Sequence, residues 1–159
     1  MHPVRFRLWH LEDDDSDALL VQQALRRSHR PVDLTRYHDP TAAIAVLESI
    51  YAPEVQAPHL ILTDLKMPKM DGLEFVKWLR QSRFACIPVI MLTGSTLPTD
   101  VLAAYRSGVN SFSTKPVSVL HLNELVSTVL KYWNELCATP ATVADSGFHI
   151  WDENHHNHR

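Results

Sequence analysis

The chain reads as an α/β protein, a doubly wound five-stranded parallel sheet in the order 2-1-3-4-5 with helices on both faces, and three observations carry that reading. Short apolar runs alternate with stretches of helical period, the arrangement expected of consecutive βα units. The run Ile87 to Leu92 is almost continuously apolar, as suits a parallel strand covered on both faces. Glu12, Asp13, Asp64, Thr93 and Lys115 fall at the ends of the first, third, fourth and fifth runs. With right-handed crossovers, that strand order brings those ends to one crevice.

The first run, Phe6 to Leu11, ends in the acidic cluster Glu12-Asp13-Asp14-Asp15. A helix is expected from about Ser16, its N-cap, with Leu20, Val21, Ala24 and Leu25 as the apolar stripe. A second strand spans Val32 to Tyr37. Asp39 as cap and Pro40 in the first turn then open a helix through Ala43, Ile44 and Leu47. Tyr51 to Pro58, with two prolines, reads as a loop. The third strand, Leu60 to Asp64, leads through Leu65 to Gly72 into a helix of about Leu73 to Gln81, with Phe75, Val76 and Leu79 on its apolar face. Thr93-Gly94-Ser95 follows the fourth strand, and the next helix starts near Pro98 and stops at Gly108. Lys115-Pro116 closes a fifth strand, Ser111 to Thr114, and the last helix runs from Val119 to Leu136 on Leu122, Val126, Val129, Leu130 and Trp133. Residues 138–159 are polar and aperiodic and contain His155-His156-Asn157-His158, so the domain is expected over 1–137 with a disordered tail beyond.

A length of 159 residues suits one domain with one sizeable core. The formal net charge of −3 provides no basic field of the kind that drives nucleic-acid affinity. No apolar run approaches the roughly 18 residues of a membrane span, and no apolar leader follows Met1. A soluble cytoplasmic protein that touches neither membrane nor nucleic acid is expected. Cys86 and Cys137 form no CxxC pair and read as reduced packing residues.

Three carboxylates gathered in a crevice of reduced dielectric repel one another unless protons or a cation neutralise them. Mg²⁺ is the natural partner, because it takes oxygen ligands and keeps several waters, so carboxylates plus one backbone carbonyl make a partial shell. Lys115 adds a positive charge and Thr93 a hydroxyl. Together they suit a phosphoryl group built on an aspartate and held by positioning and electrostatics.

Four motifs in order, Leu11-Glu12-Asp13-Asp14, Leu62-Thr63-Asp64 through Met70-Asp71-Gly72, Met91-Leu92-Thr93-Gly94-Ser95 and Gly108-Val109-Asn110 through Lys115-Pro116, resemble the receiver domains of two-component response regulators over about residues 5–137. The fold of that family is flavodoxin-like. Asn110-Ser111-Phe112 and Tyr132-Trp133 are most similar to the stand-alone regulators paired with bacterial and cyanobacterial phytochromes. The resemblance implies a stand-alone switch, not an enzyme beyond slow self-dephosphorylation, that takes a phosphoryl group from a histidine kinase, here a bacteriophytochrome. It makes Asp64 the phosphoacceptor, Asp13 a direct Mg²⁺ ligand, Glu12 a ligand through water, and the Lys66 carbonyl the remaining protein ligand. Thr93 and Lys115 would contact the phosphoryl oxygens, Phe112 would reorient with Thr93, and Lys115-Pro116 would be a cis peptide.

Some positions depart from the family pattern. His10 stands where an aliphatic residue is usual, Trp9 is larger than usual, Phe112 replaces a common Tyr, and Asp13 and Asp64 are 51 residues apart, slightly more than usual. Each site residue also has a plainer reading when taken alone. The acidic run could be a solvated turn, Asp64 a loop cap, Thr93 a strand end, Lys115 a surface lysine, and Phe112 and His10 ordinary core. Two other functions fit parts of the pattern: a phosphorylation-independent interaction module, and an aspartyl-nucleophile phosphotransferase, whose D-x-D pattern is broken here by Lys66. For output, the fourth helix, fifth strand and fifth helix flank Phe112 and end in Tyr132 and Trp133, which points to a homodimer through that face.

Overall fold

The computed structural model describes residues 4–50, 56–147 and 150–151. Five parallel strands, β1 (Phe6–Leu11), β2 (Val32–Tyr37), β3 (Leu60–Thr63), β4 (Val89–Thr93) and β5 (Ser111–Thr114), form one sheet in the order β2-β1-β3-β4-β5. Helices α1 (Asp15–Arg27), α2 (Pro40–Glu48), α3 (Gly72–Gln81), α4 (Pro98–Ser107) and α5 (Val119–Leu130) supply the crossovers. The expected doubly wound architecture and strand order are both present.

The central strands β3 and β4 are buried at every position, which is why their sequences are continuous apolar runs rather than alternating ones. Side chains on opposite faces of the sheet enter separate cores. One holds Trp9, Leu11, Leu47, Phe75, Leu79 and Met91; the other holds Leu8, Leu25, Leu62, Ile90, Val126 and Leu130 beneath α1 and α5. Leu8↔Leu60 and Leu11↔Thr63 fix the β1/β3 register and place the carboxyl ends of both strands side by side.

The caps follow local chemistry. Asp14, not Ser16, opens α1, accepting the Asp17 N–H on Oδ1 at 2.8 Å. Asp39 caps α2 with Pro40 in its first turn, and Asp71 caps α3. Gly108 ends α4 at φ 111°, a left-handed conformation that a side chain resists. Strand β4 begins at Val89 rather than Ile87, after Pro88, which has no N–H for a ladder.

At the C-terminal end the structure corrects two expectations. The last helix is α-helical only to Leu130 and continues as a π-helical turn over Lys131–Leu136. Part of the expected disordered tail is folded: Pro140–Asp145 forms α6, capped by a reciprocal Thr139/Thr142 pair with Pro140 in the first turn. It is tied down by Asp145, whose carboxylate receives the Arg7 guanidinium at 2.9 Å and His59 Nε2 at 3.2 Å. Trp151 packs on Phe84 with ring centroids 5.3 Å apart. His155, His156, His158 and most of the Tyr51–Pro58 loop lie outside the described residues. Both cysteines are free, but Cys86 is exposed rather than a packing residue. No helix among the described residues is long and apolar enough to cross a membrane.

Candidate functional site

The site is assembled at the carboxyl edge of the sheet. Alternation along β1 puts Leu11 into one core and Glu12, one residue on, on the opposite face with Leu8 and His10. The β1/β3 ladder extends beyond the strands, since the Asp64 N–H donates to the Leu11 carbonyl at 3.0 Å. Glu12 and Asp64 are both buried as a result. Asp64 is further fixed by its own surroundings. Its Oδ1 accepts the Leu65 N–H at 2.6 Å, and its carbonyl accepts the Thr63 hydroxyl at 2.9 Å.

Lys115 enters from the end of β5, where its N–H donates to the Thr93 carbonyl at 2.7 Å. Its ammonium then donates to Glu12 Oε1 at 2.6 Å, Asp17 Oδ2 at 2.7 Å and Asp64 Oδ2 at 2.9 Å. An ammonium has three N–H donors, so this one is saturated. Thr93 is buried at the end of β4, its Oγ1 accepting the Ser95 N–H at 3.4 Å, while the Ser95 hydroxyl donates to Asp100.

The electrostatics follow from burial set against these contacts. Burial, reinforced by the hydrogen bond with Asp64, pushes the Glu12 carboxyl up to about 8. Burial would raise Asp64 too, but hydrogen bonds from Glu12, Lys115 and Thr93 outweigh it and hold its carboxyl low. Burial opposes the charge on Lys115, and its three carboxylate partners overcome that and raise it. His10 is pushed down to about 4, first by burial and then by Lys115 and Arg36.

A divalent cation suits these residues. Carboxylate oxygens of Glu12, Asp17 and Asp64 lie within 4.8 Å of one another. Glu12 Oε2 is buried with no hydrogen-bond partner among the described residues, as befits an oxygen able to ligate a cation. An all-oxygen donor set is the one a hard ion such as Mg²⁺ takes.

The structure brings together Glu12, Asp64 and Lys115, with Thr93 alongside. It leaves Asp13 exposed and outside the converging carboxylates, because the chain turns after Glu12 and sends the next three side chains to solvent. The Lys66 side chain is also exposed, in the loop that follows Asp64. The Lys115–Pro116 bond is trans, contrary to expectation. Trans is the favoured isomer by about 0.5–1 kcal/mol, and the Thr93 carbonyl and three carboxylates direct Lys115 without a cis bond. Phe112 is half-buried against the first core, and its N–H donates to the Tyr105 hydroxyl at 3.2 Å. The residue that sequence reasoning missed is Asp17. Its signal was the Asp14-x-x-Asp17 spacing, a cap followed by a first-turn carboxylate at the mouth of the crevice.

Comparison with known proteins identifies the family. The family model "Response regulator receiver domain" matches residues 10–127. Response regulator Rcp1 of Synechocystis sp. is 35% identical over 133 residues, covering 82% of this chain and 90% of its own length. The probable methanogenesis regulatory protein FilR2 of Methanothrix harundinacea is 33% identical over 124 residues, covering 77% of this chain and 80% of its own. Among solved structures, the phosphorylated cyanobacterial phytochrome response regulator RcpA aligns with a TM-score of 0.78 at 29% identity, over 86% of this chain and 99% of that one. The Mn²⁺-bound form of Rcp1 aligns with a TM-score of 0.74 at 33% identity, over 84% and 98%.

Proposed function

Because the chain belongs to the response regulator receiver domain family, we propose that it is a stand-alone signalling switch that accepts a phosphoryl group on Asp64 from a histidine kinase. The observation that carries this is the junction of Asp64 Oδ2 with the Lys115 ammonium at 2.9 Å in a buried carboxylate crevice. An Asp64 oxygen attacks the phosphorus of a phosphohistidine. The new O–P bond forms as the P–N bond breaks, and the released imidazole takes up a proton.

Glu12 and Asp64 would hold Mg²⁺, with the Lys66 carbonyl and Asp13 as the further ligands that the family resemblance implies, and the bound ion would neutralise charge developing on the phosphoryl oxygens. Lys115 supplies a second positive charge to those oxygens, and the Thr93 hydroxyl a hydrogen bond. Thr93 and Phe112 then carry the change to α4, β5 and α5, the face through which the protein signals or pairs with a second copy. The likeness to Rcp1 and to the phytochrome regulator RcpA supports a phytochrome-type kinase as the donor, in the cytoplasm. Self-dephosphorylation is the only turnover expected.

Incubation with acetyl phosphate and Mg²⁺, followed by intact mass measurement, tests the reading. One phosphoryl adduct per chain is expected, absent in Asp64→Asn and without the metal. No adduct, or one that survives in Asp64→Asn, would leave only a phosphorylation-independent module.

A further inference from the structure

The oxygens of all three carboxylates on Lys115 lie within 4.8 Å of one another, and a divalent cation in the crevice would draw most on the two that are buried, Glu12 and Asp64. The metal and the ammonium therefore compete for them. When the ion takes those oxygens, two of the three hydrogen bonds that hold Lys115 weaken, at the moment when a phosphoryl group needs its charge in place.

Asp17 differs from the other two. It stands on the first turn of α1, across the crevice from the β5 end that delivers Lys115, with its side chain 40% exposed against 0% for Glu12. Its backbone N–H is fixed by Asp14 Oδ1 at 2.8 Å, and its carboxylate lies at the positive end of a helix of 13 residues. Among the described residues its one ionic partner is Lys115 Nζ at 2.7 Å.

We propose that Asp17 is a positioning residue that anchors the Lys115 ammonium in the crevice while the metal holds Glu12 and Asp64. This inference rests on the phosphoacceptor reading above. Asp17 keeps the amine aimed across the crevice, and the donor freed from Asp64 turns to the incoming phosphoryl oxygen. Asp13, exposed and without a contact to Lys115, has no part in this anchoring.

Two measurements on the full chain test it. In the first, amines are acylated with an N-hydroxysuccinimide ester and quantified by peptide mass spectrometry, with exposed Lys77 as the internal reference. Wild-type Lys115 stays protected with or without Mg²⁺. In Asp17→Asn it becomes about tenfold more reactive when Mg²⁺ is added, the factor expected for loss of one charge-assisted hydrogen bond, and Asp17→Glu restores protection. Equal protection of Lys115 in wild type and Asp17→Asn at saturating Mg²⁺ would overturn the proposal.

The second measures phosphoryl uptake from acetyl phosphate against Mg²⁺ concentration. Asp17→Asn lowers the rate at saturating Mg²⁺ by about tenfold and has no further effect in a Lys115→Met background. A rise in Mg²⁺ half-saturation with an unchanged saturated rate would make Asp17 a metal ligand and refute the anchoring role. If wild type takes up no phosphoryl group, the phosphoacceptor reading itself fails. That result is separable from the others, because the acylation comparison requires no phosphoryl transfer.

Discussion

Arg36, next to last on the edge strand β2, donates from Nε to the Glu12 carbonyl at 3.0 Å, so a strand that carries no site residue holds the backbone of one that does. The same guanidinium donates from Nη1 to Asp15 at 2.8 Å and so closes the acidic loop against β2. Arg36→Ala removes two charge-assisted bonds and is expected to lower stability by about 1–3 kcal/mol. It should also raise the Mg²⁺ concentration needed for phosphoryl uptake. Arg36→Lys recovers little of either, because a single ammonium cannot span both acceptors as the planar fork does. Urea unfolding and an Mg²⁺ titration of uptake check both expectations.

Gly72 sets the position of Asp64 from behind. A Cβ at Gly72 would lie 2.1 Å from the Asp64 carbonyl oxygen, and the Gly72 N–H donates to the Leu65 carbonyl at 2.8 Å. The neighbouring atoms are backbone at a strand end, with no flexible side chain to give way. Gly72→Ala is expected to cost about 2 kcal/mol or more and to slow phosphoryl uptake, since relief requires Asp64 to shift. Denaturant unfolding alongside intact mass after exposure to acetyl phosphate measures the two effects together.

These two contacts show where the sequence could be read and where it could not. Strand ends are legible because an apolar run stops abruptly, and Glu12, Asp64, Thr93 and Lys115 could be placed on one edge from that pattern alone. Which of two adjacent carboxylates turns inward depends on the alternation at the last residue of β1. That put Glu12 inside and left Asp13 exposed. Asp17 and Arg36 act across elements, from a helix and from the neighbouring strand, and periodicity carries no information about such reach. The folded tail had a readable signal, Thr139 before Pro140 as a cap and first-turn pair, but a six-residue helix is too short to show a stripe. Its anchor, Asp145 with Arg7 and His59, spans most of the chain and is visible only once folded.

That anchor gives a pH dependence. The Arg7 N–H donates to His59 Nδ1 at 2.9 Å, so the neutral ring carries its proton on Nε2, which donates to Asp145 Oδ2 at 3.2 Å. Burial, then the charge of Arg7, holds His59 below its ordinary value of 6.5, with Asp145 opposing. The unfolded chain therefore binds the extra proton first, and stability is lost as pH falls below about 6.5 toward the folded value. His10, held near 4, contributes to the same acid limb. His59→Gln should reduce the stability difference between pH 7.5 and pH 5.5 without abolishing it. Asp145→Ala, which leaves the half-buried Arg7 without its carboxylate, should cost about 3 kcal/mol at neutral pH. Urea midpoints at the two pH values decide both.

The two aromatic residues after α5 are separable by experiment. Trp133 is partly buried against the second core, whereas Tyr132 is 53% exposed and meets the Trp133 ring edge-on at 5.2 Å. Leu102 and Tyr105 on α4 and Leu120 on α5 are exposed as well, so the face proposed for pairing presents apolar groups along both of its helices. Trp133→Ala should lower stability by about 2 kcal/mol through lost packing. Tyr132→Ala should leave the fold intact, because its ring covers little of the core. If the protein pairs through this face, Tyr132→Ala weakens self-association about tenfold, the scale of an interface aromatic, and phosphorylation shifts the monomer–dimer equilibrium only by the difference in affinity between the two states. Sedimentation velocity at several concentrations, with and without acetyl phosphate, reads these quantities directly. A dimer unchanged by Tyr132→Ala, or a monomer under every condition, would exclude this face as the homodimer contact.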